Sequence, residues 1–147
     1  MIRKQKLCLK HEQSDVVFEG GIRSSSDSEK FARLIWDQDD MEILERVYAV
    51  FLNAKNEPVS WAEISAGGQR GTVVDMKLLM GHAVLAVASG LVIFHNHPSG
   101  SVQPSSADVD MTNKLKECCR IHDIVLLDHL ILSQNGGYYS FADECQL

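Results

Sequence analysis

The chain has 147 residues, of which 45% are hydrophobic. A chain of this length can bury about 68–70% of the surface that its unfolded form exposes, so one independently folded domain is expected and general disorder is excluded. Fourteen basic and twenty acidic residues give a formal net charge of −6, which argues against a general electrostatic grip on nucleic acid. Apolar runs fall well short of the ~20 residues that a membrane-spanning helix needs.

The four cysteines are spaced in a way that does not suggest a metal site or a redox pair. Cys8, Cys118, Cys119 and Cys145 form no Cys-x-x-Cys pattern. Adjacent Cys118 and Cys119 are poorly placed to bridge each other. We therefore expect free thiols, a reducing compartment and a cytoplasmic location.

The first half of the chain predicts one helix and one hairpin. Residues 1–24 form an N-terminal extension, in which 16–18 is a candidate edge strand. Several helix N-cap residues precede apolar residues at helical spacing, so a helix is expected over 27–37. Residues 47–52 have the pattern of a strand that is buried on both faces, and a turn then leads into a returning strand near 59–65.

The second half predicts two helices that alternate with strands and end in a hairpin. These elements cover residues 75–89, 91–94, 105–121, 124–132 and 138–141. The first helix has apolar side chains three and four residues apart, the pattern of a wide buried face, and Gly90 would end it. Asn135-Gly136-Gly137 is typical of a hairpin turn.

The order of these elements predicts a three-layer α/β domain, in which helices flank a mixed β-sheet. In open α/β sheets, binding sites lie just beyond the carboxyl ends of strands. The chemically most unusual residues of the sequence directly follow the predicted strand 91–94. A functional site is therefore expected at that edge of the sheet.

Two histidines occupy this position, in the segment His95-Asn96-His97-Pro98-Ser99-Gly100. Because side chains alternate along a strand, His95 and His97 should face the same way, about 6–7 Å apart. The proline and glycine that follow turn the chain away at once, which leaves both rings at an open edge. Two imidazoles placed in this way can converge on one metal ion.

Asp108 is the candidate third ligand, since it opens the next helix and its side chain should lean back toward the loop. Two histidines and one carboxylate, with a place left for water, are typical of a catalytic zinc site. Ser105-x-x-Asp108 also fits a helix capping box, and a His-x-His pair by itself is a weak signal. The conjunction of the two patterns favours the metal site.

The stretch from His95 to Gly100, continued by Pro104-Ser105 and Asp108, resembles the JAMM (MPN+) metalloprotease motif in the form seen in RadC-like proteins. The resemblance implies a JAMM/MPN (cytidine deaminase-like) architecture for residues 25–147. It also implies a zinc ion held by His95, His97 and Asp108, with Ser105 assisting at the oxyanion. An upstream glutamate would act as general acid and base.

By the position of the segment 61–67, that glutamate is Glu63. A carboxylate among apolar residues on the second strand of a predicted hairpin also needs a reason of its own. Exposure on an edge strand is the competing explanation. If Glu63 faced the metal, it would take a proton from water and deliver it to the leaving amine.

The pair Asp128-His129 interrupts an otherwise apolar core strand, and RadC-like sequences carry the same pair at this position. Buried polar groups need partners, so two explanations stay open. The pair could orient the zinc ligands from behind, or it could be a purely structural hydrogen-bonding unit.

The resemblance implies a zinc-dependent hydrolase of peptide or isopeptide bonds, with a protein or peptide as its partner. A non-enzymatic accessory of DNA repair or recombination that keeps zinc for stability is one alternative. A metal-dependent hydrolase of nucleic acid is another, although the acidic charge does not favour DNA as a partner and the deaminase signature is missing.

Overall fold

The computed structural model describes residues 2, 4, 8, 10–67 and 73–147. Residues 1, 3, 5–7 and 9 of the predicted N-terminal extension lie outside the described residues. The elements in chain order are α1 (Ser25–Ile35), a 3-10 helix (Gln38–Asp40), β1 (Glu45–Leu52), β2 (Pro58–Gly67), α2 (Met76–Leu85), β3 (Gly90–Asn96), α3 (Ser106–Ile121), β4 (Val125–Leu132) and β5 (Tyr138–Ser140).

The five strands form one mixed sheet in the order β2-β1-β3-β4-β5. β1 pairs antiparallel with both β2 and β3, β3 pairs parallel with β4, and β5 returns antiparallel to β4. The parallel pair needs a long crossover, and α3 supplies it. The predicted mixed sheet is therefore confirmed.

Two hydrophobic cores lie on opposite faces of this sheet. One core joins Phe31 of α1 to Phe94 of β3, whose rings stack with centroids 6.3 Å apart. The other core joins Leu79 of α2 and Leu115 of α3 to Ile93 of β3. Because α1 covers one face and the other two helices cover the opposite face, the predicted three-layer α/β architecture is confirmed.

Every residue of the central strand β3 is buried. Leu91 and Ile93 belong to the core under α2 and α3, whereas Val92 and Phe94 belong to the core under α1. Strand alternation therefore places His95 on the face of α2 and α3. This assignment of faces decides which side chains can meet the histidines.

The candidate strand 16–18 is not formed, and residues 11–19 are irregular. Val16 and Phe18 instead pack their side chains against the core under α1, where the Phe18 and Phe31 rings meet edge to face at 5.3 Å. The apolar residues that suggested a strand are buried by packing on a helix, without a ladder of backbone hydrogen bonds.

The first two helices have boundaries that differ from the predicted ones by two residues or more. The first helix begins two residues early, because Ser24 is the N-cap and its side chain accepts a hydrogen bond from Asp27 N. The second helix ends at Leu85, four residues early, and Val87 then adopts a left-handed φ of 51°. Gly90 begins β3 and does not end the helix. A Cβ at this position would lie 2.5 Å from the side chain of Leu127, so the glycine allows the close approach of that side chain.

Within the described residues, none of the helices is long and apolar enough to cross a membrane.

Candidate metal centre

Three potential metal ligands converge at the carboxyl end of β3. His95 Nε2 lies 2.9 Å from His97 Nε2 and 3.2 Å from Asp108 Oδ1. His97 Nε2 lies 3.3 Å from Asp108 Oδ2. His95 is fully buried, while His97 and Asp108 are half-buried at the rim, so the group is open to solvent on one side.

The ring nitrogen of His97 that faces away from the group, Nδ1, has a hydrogen-bond partner in the backbone. His97 Nδ1 lies 2.9 Å from the carbonyl oxygen of Ser101. A carbonyl can only accept, so Nδ1 carries the proton and, in the neutral ring, Nε2 presents its lone pair to the centre of the group. The loop after β3 thus sets the ring in the form that a metal requires.

Asp108 serves the helix and the site at once. Its Oδ2 accepts hydrogen bonds from the backbone N and the Oγ of Ser105, each at 2.6 Å, and Ser105 Oγ accepts from Asp108 N at 3.2 Å. The predicted capping box is therefore present. Because Oδ1 still points toward His95, the capping and metal-ligand interpretations of this residue are compatible.

Asp108 and His97 each stabilise the charged form of the other. Burial acts to raise the pKa of Asp108, but the interactions of its carboxylate with His95, His97 and Ser105 outweigh burial and hold that pKa far below its ordinary range. The hydrogen bond to Asp108 in turn raises the pKa of His97, against the effect of burial. The Asp108 carboxylate therefore favours the protonated form of His97 in the metal-free site.

The three side chains fit a zinc ion. Ligands about 2.0–2.2 Å from zinc at tetrahedral corners lie about 3.3–3.6 Å from one another. The three ligand atoms here lie within 4.8 Å of one another. The two histidine nitrogens are 2.9 Å apart, and each lies 3.2 to 3.3 Å from one of the two Asp108 oxygens. A small adjustment of these side chains would therefore match zinc geometry, with the open side left for water.

The structure places Glu63 away from this group. In the register of β1 and β2, Glu63 lies opposite Tyr48, whose side chain belongs to the core under α1. Its carboxylate binds Arg46, with 2.6 Å between Oε2 and Nη1, and its side chain is 40% exposed. Burial first, and then the hydrogen bond and charge of Glu63, raise the pKa of Tyr48 to about 12. Glu63 is therefore on the opposite face of the sheet from the histidines.

Glu45 is the carboxylate that the topology brings to the histidines, and sequence reasoning missed it. Val47 lies opposite His95 in the antiparallel pair β1 and β3. Glu45 precedes Val47 by two residues, so it shares that face and lies opposite position 97. Its charge contributes to the raised pKa of His97. Its place just before a buried apolar strand was the available signal, but the neighbour of that strand was not evident from the sequence.

Asn96 holds the start of β1 beside the metal strand. Its fully buried side chain donates to the carbonyl oxygens of Met41 and Leu44, at 2.7 and 2.9 Å, and accepts from the backbone N of Arg46 at 2.8 Å. These three bonds bracket Glu45 in the chain. The asparagine between the two histidines therefore positions the segment that carries Glu45.

The side chains of Asp128 and His129 lie on opposite faces of the sheet and have different partners. Asp128 accepts hydrogen bonds from Ser140 Oγ at 2.6 Å and Ala142 N at 3.0 Å, which ties the C-terminal segment to β4. Burial raises the pKa of Asp128, against these hydrogen bonds. The contacts of Asp128 are those of a structural residue.

His129 faces the other way and meets a candidate ligand. Its Nε2 lies 2.7 Å from Nδ1 of His95, and its ring stacks on Phe141 with centroids 4.6 Å apart. Burial lowers the pKa of His129 well below its ordinary value and so favours the neutral ring. Of the pair, His129 is therefore the residue that contacts a candidate ligand directly.

Comparison with known proteins places these residues in a family. The family model of the RadC-like JAB domain matches residues 22–147. A UPF0758 protein of Flavobacterium johnsoniae is 44% identical over 100 residues, which are 68% of this chain and 43% of that protein. A UPF0758 protein of Streptococcus suis is 39% identical over 117 residues, 80% of this chain and 47% of that protein.

A third relative, a UPF0758 protein of Coprothermobacter proteolyticus, is 36% identical over 133 residues, 90% of this chain and 56% of that protein. The chain spans about half the length of these relatives, whose names specify no reaction. The family match covers the whole sheet, its three helices and the His-His-Asp group. The chain therefore belongs to the RadC-like JAB domain family.

Proposed function

We propose that this protein is a zinc-dependent hydrolase of peptide or isopeptide bonds. The observation that carries the proposal is the convergence of His95, His97 and Asp108, with their ligand atoms within 4.8 Å of one another at an open edge of the sheet. The placement of Glu45 on the same face adds a proton acceptor that a closed structural zinc site would not need.

Each residue of the group has a separate task in this proposal. His95, His97 and Asp108 would hold a zinc ion, which would supply the Lewis acidity that lowers the pKa of water and polarises a substrate carbonyl. Glu45 accepts the proton that the attacking water loses and then donates it to the nitrogen of the leaving amine. One carboxylate thus serves as base in the first step and as acid in the second.

Ser105 is assigned to the developing oxyanion. It is exposed at the start of α3, and its hydroxyl lies 2.6 Å from the Asp108 carboxylate, at the rim of the metal group. A hydroxyl donor beside the reacting carbonyl would stabilise the negative charge that forms on its oxygen. Between turnovers, the same hydroxyl holds the third ligand in place.

Two measurements on the full chain test the proposed function. Elemental analysis of the purified protein should find one zinc per chain. A panel of peptides, including pairs joined through a lysine side chain, should be cleaved by the zinc-loaded protein, and chelation should abolish the cleavage. A protein that binds no metal, or zinc-loaded protein that cleaves no member of the panel, would contradict the proposal.

Zinc binding is expected to strengthen as the pH rises and then to level off. Zinc needs the lone pair of His97 Nε2, whereas the hydrogen bond to Asp108 raises the pKa of His97 in the metal-free protein. Below that raised pKa, one competing proton weakens the apparent affinity by about tenfold per pH unit. Chelator competition at a series of pH values measures this slope, and an affinity that stays constant between about pH 5 and 8 would contradict it.

A further inference from the structure

A buried chain of hydrogen bonds runs from the His95 ligand back to the Asp108 ligand. His95 Nδ1 lies 2.7 Å from His129 Nε2, and His129 Nδ1 lies 2.6 Å from Thr112 Oγ1. Thr112 Oγ1 lies 2.6 Å from the backbone carbonyl oxygen of Asp108. His95, His129 and Thr112 are each no more than 1% exposed, so these contacts form without competition from bulk water.

The backbone carbonyl of Asp108, at the end of this series of hydrogen bonds, determines which atom donates in each of them. The carbonyl of Asp108 can only accept, so the single hydroxyl proton of Thr112 is donated to it. Thr112 Oγ1 then has only lone pairs to offer to His129, and His129 Nδ1 must carry a proton and donate it.

The same reasoning determines the proton positions on His129 and His95. With its proton on Nδ1, the neutral His129 ring presents a bare Nε2, which accepts a hydrogen bond from His95 Nδ1. The proton of His95 is then on Nδ1, and its Nε2 lone pair is directed at the group formed with His97 and Asp108. This is the form of His95 that can bind a metal.

We propose that Thr112, acting through His129, is a positioning residue that selects the metal-binding tautomer of His95. The inference rests on the proposed zinc site and adds two residues behind it. Thr112 lies on α3 one turn after Asp108, so the helix that supplies the third ligand also sets the tautomer of the first.

Removal of the hydroxyl should affect zinc binding more than folding. In Thr112→Val, His129 can move its proton to Nε2 and donate to His95 Nδ1. His95 then carries its proton on Nε2, where the Asp108 Oδ1 atom at 3.2 Å accepts it. The metal-free protein therefore keeps its hydrogen bonds, whereas zinc binding requires both rings to be reversed.

The test compares Thr112→Val with Thr112→Ser, which keeps the hydroxyl but loses the methyl group. In chelator competition, Thr112→Val should bind zinc about 10–100-fold more weakly than wild type, the usual effect of losing a partner behind a ligand. Thr112→Ser should stay close to wild type. Thermal unfolding of the metal-free forms checks that each variant folds.

Nitrogen NMR of the imidazole rings supplies a readout that a packing role would not move. In the metal-free protein at about pH 9, above the ordinary imidazole pKa, wild-type His95 and His129 should both be protonated on Nδ1. In Thr112→Val, both rings should be protonated on Nε2. Thr112→Ser should retain the wild-type pattern.

Several results would overturn the inference. These are unchanged zinc affinity in Thr112→Val, equal loss in Thr112→Val and Thr112→Ser, or a wild-type His95 protonated on Nε2. Failure of the wild-type protein itself to bind zinc would instead overturn the proposed function together with the inference. A wild-type protein that binds zinc and a Thr112→Val variant that binds it equally well would overturn the inference alone.

Discussion

We expect Glu45→Gln to lower the turnover of the zinc-loaded protein by about 10²–10⁴-fold, the range that a general acid or base contributes. Glutamine has nearly the same size as glutamate but cannot take up a proton from water. Glu45 is not one of the three converging ligands, so elemental analysis should find the zinc content of the variant unchanged. Loss of turnover with retention of zinc would separate the proton-transfer role from metal binding.

Glu63→Gln is the matched control, because it makes the same chemical change on the opposite face of the sheet. Glu63 is paired with Arg46 and its side chain is 40% exposed. An ion pair of this kind contributes about 0.2–1 kcal/mol to stability, so the variant should fold and keep its turnover. Turnover is measured with the linked peptide that the cleavage panel identifies.

The two variants together discriminate between the carboxylates. If Glu63→Gln lost turnover and Glu45→Gln kept it, the proton-transfer role would belong to Glu63 and the argument from strand register would be wrong. If both variants kept full turnover, neither carboxylate would be the acid and base, and the proposed hydrolytic mechanism would fail.

Asp108→Asn is expected to weaken zinc binding by more than about 100-fold, because loss of a partner behind a ligand alone costs about 10–100-fold. The amide keeps the size of the carboxylate and can still accept hydrogen bonds from Ser105, so the helix cap should survive. Its neutral oxygen is a much poorer zinc ligand, so the group would keep two strong donors, the histidines, in place of three.

Asp110→Asn is the control for Asp108→Asn, since Asp110 lies exposed on the same helix, two residues further along. Chelator competition on both variants measures zinc affinity, and circular dichroism checks that α3 is intact. Full zinc affinity in Asp108→Asn would show that the carboxylate is not a ligand. Equal losses in both variants would point to a general effect of charge near the site.

The parts of the site that depend on neighbouring residues in the chain could be predicted from the sequence. His95 and His97 follow a buried strand, so alternation alone predicts that they share a face, and they do converge. Ser105 and Asp108 carry a capping pattern, so the start of the helix and the direction of the carboxylate were also predictable. These features depend on residues within about one helical turn or two strand positions of each other, where covalent geometry limits the outcomes.

Long-range pairings were not readable in the same way. Glu63 lies in a predicted strand and Glu45 lies two residues before another. Only the sheet order and the register show that Glu45 shares the face of His95 while Glu63 lies opposite Tyr48. A bulge between Val47 and Tyr48 shifts the register of β2 by one residue, which no pattern of apolar residues announced. A shift of one residue exchanges the two faces of a strand.

The sequence by itself determined the three-layer α/β class and the candidate ligand group of a histidine pair and an aspartate, because hydrophobic periodicity, turn residues and caps are local properties of the chain. Only the tertiary structure decided which glutamate meets that group and what the residues behind it do. Asp128 and His129 are neighbours in sequence, yet one ties down the C-terminal segment and the other contacts His95. The physical reason is that successive strand side chains point to opposite faces, and the elements packed on each face are set by the fold of the whole chain.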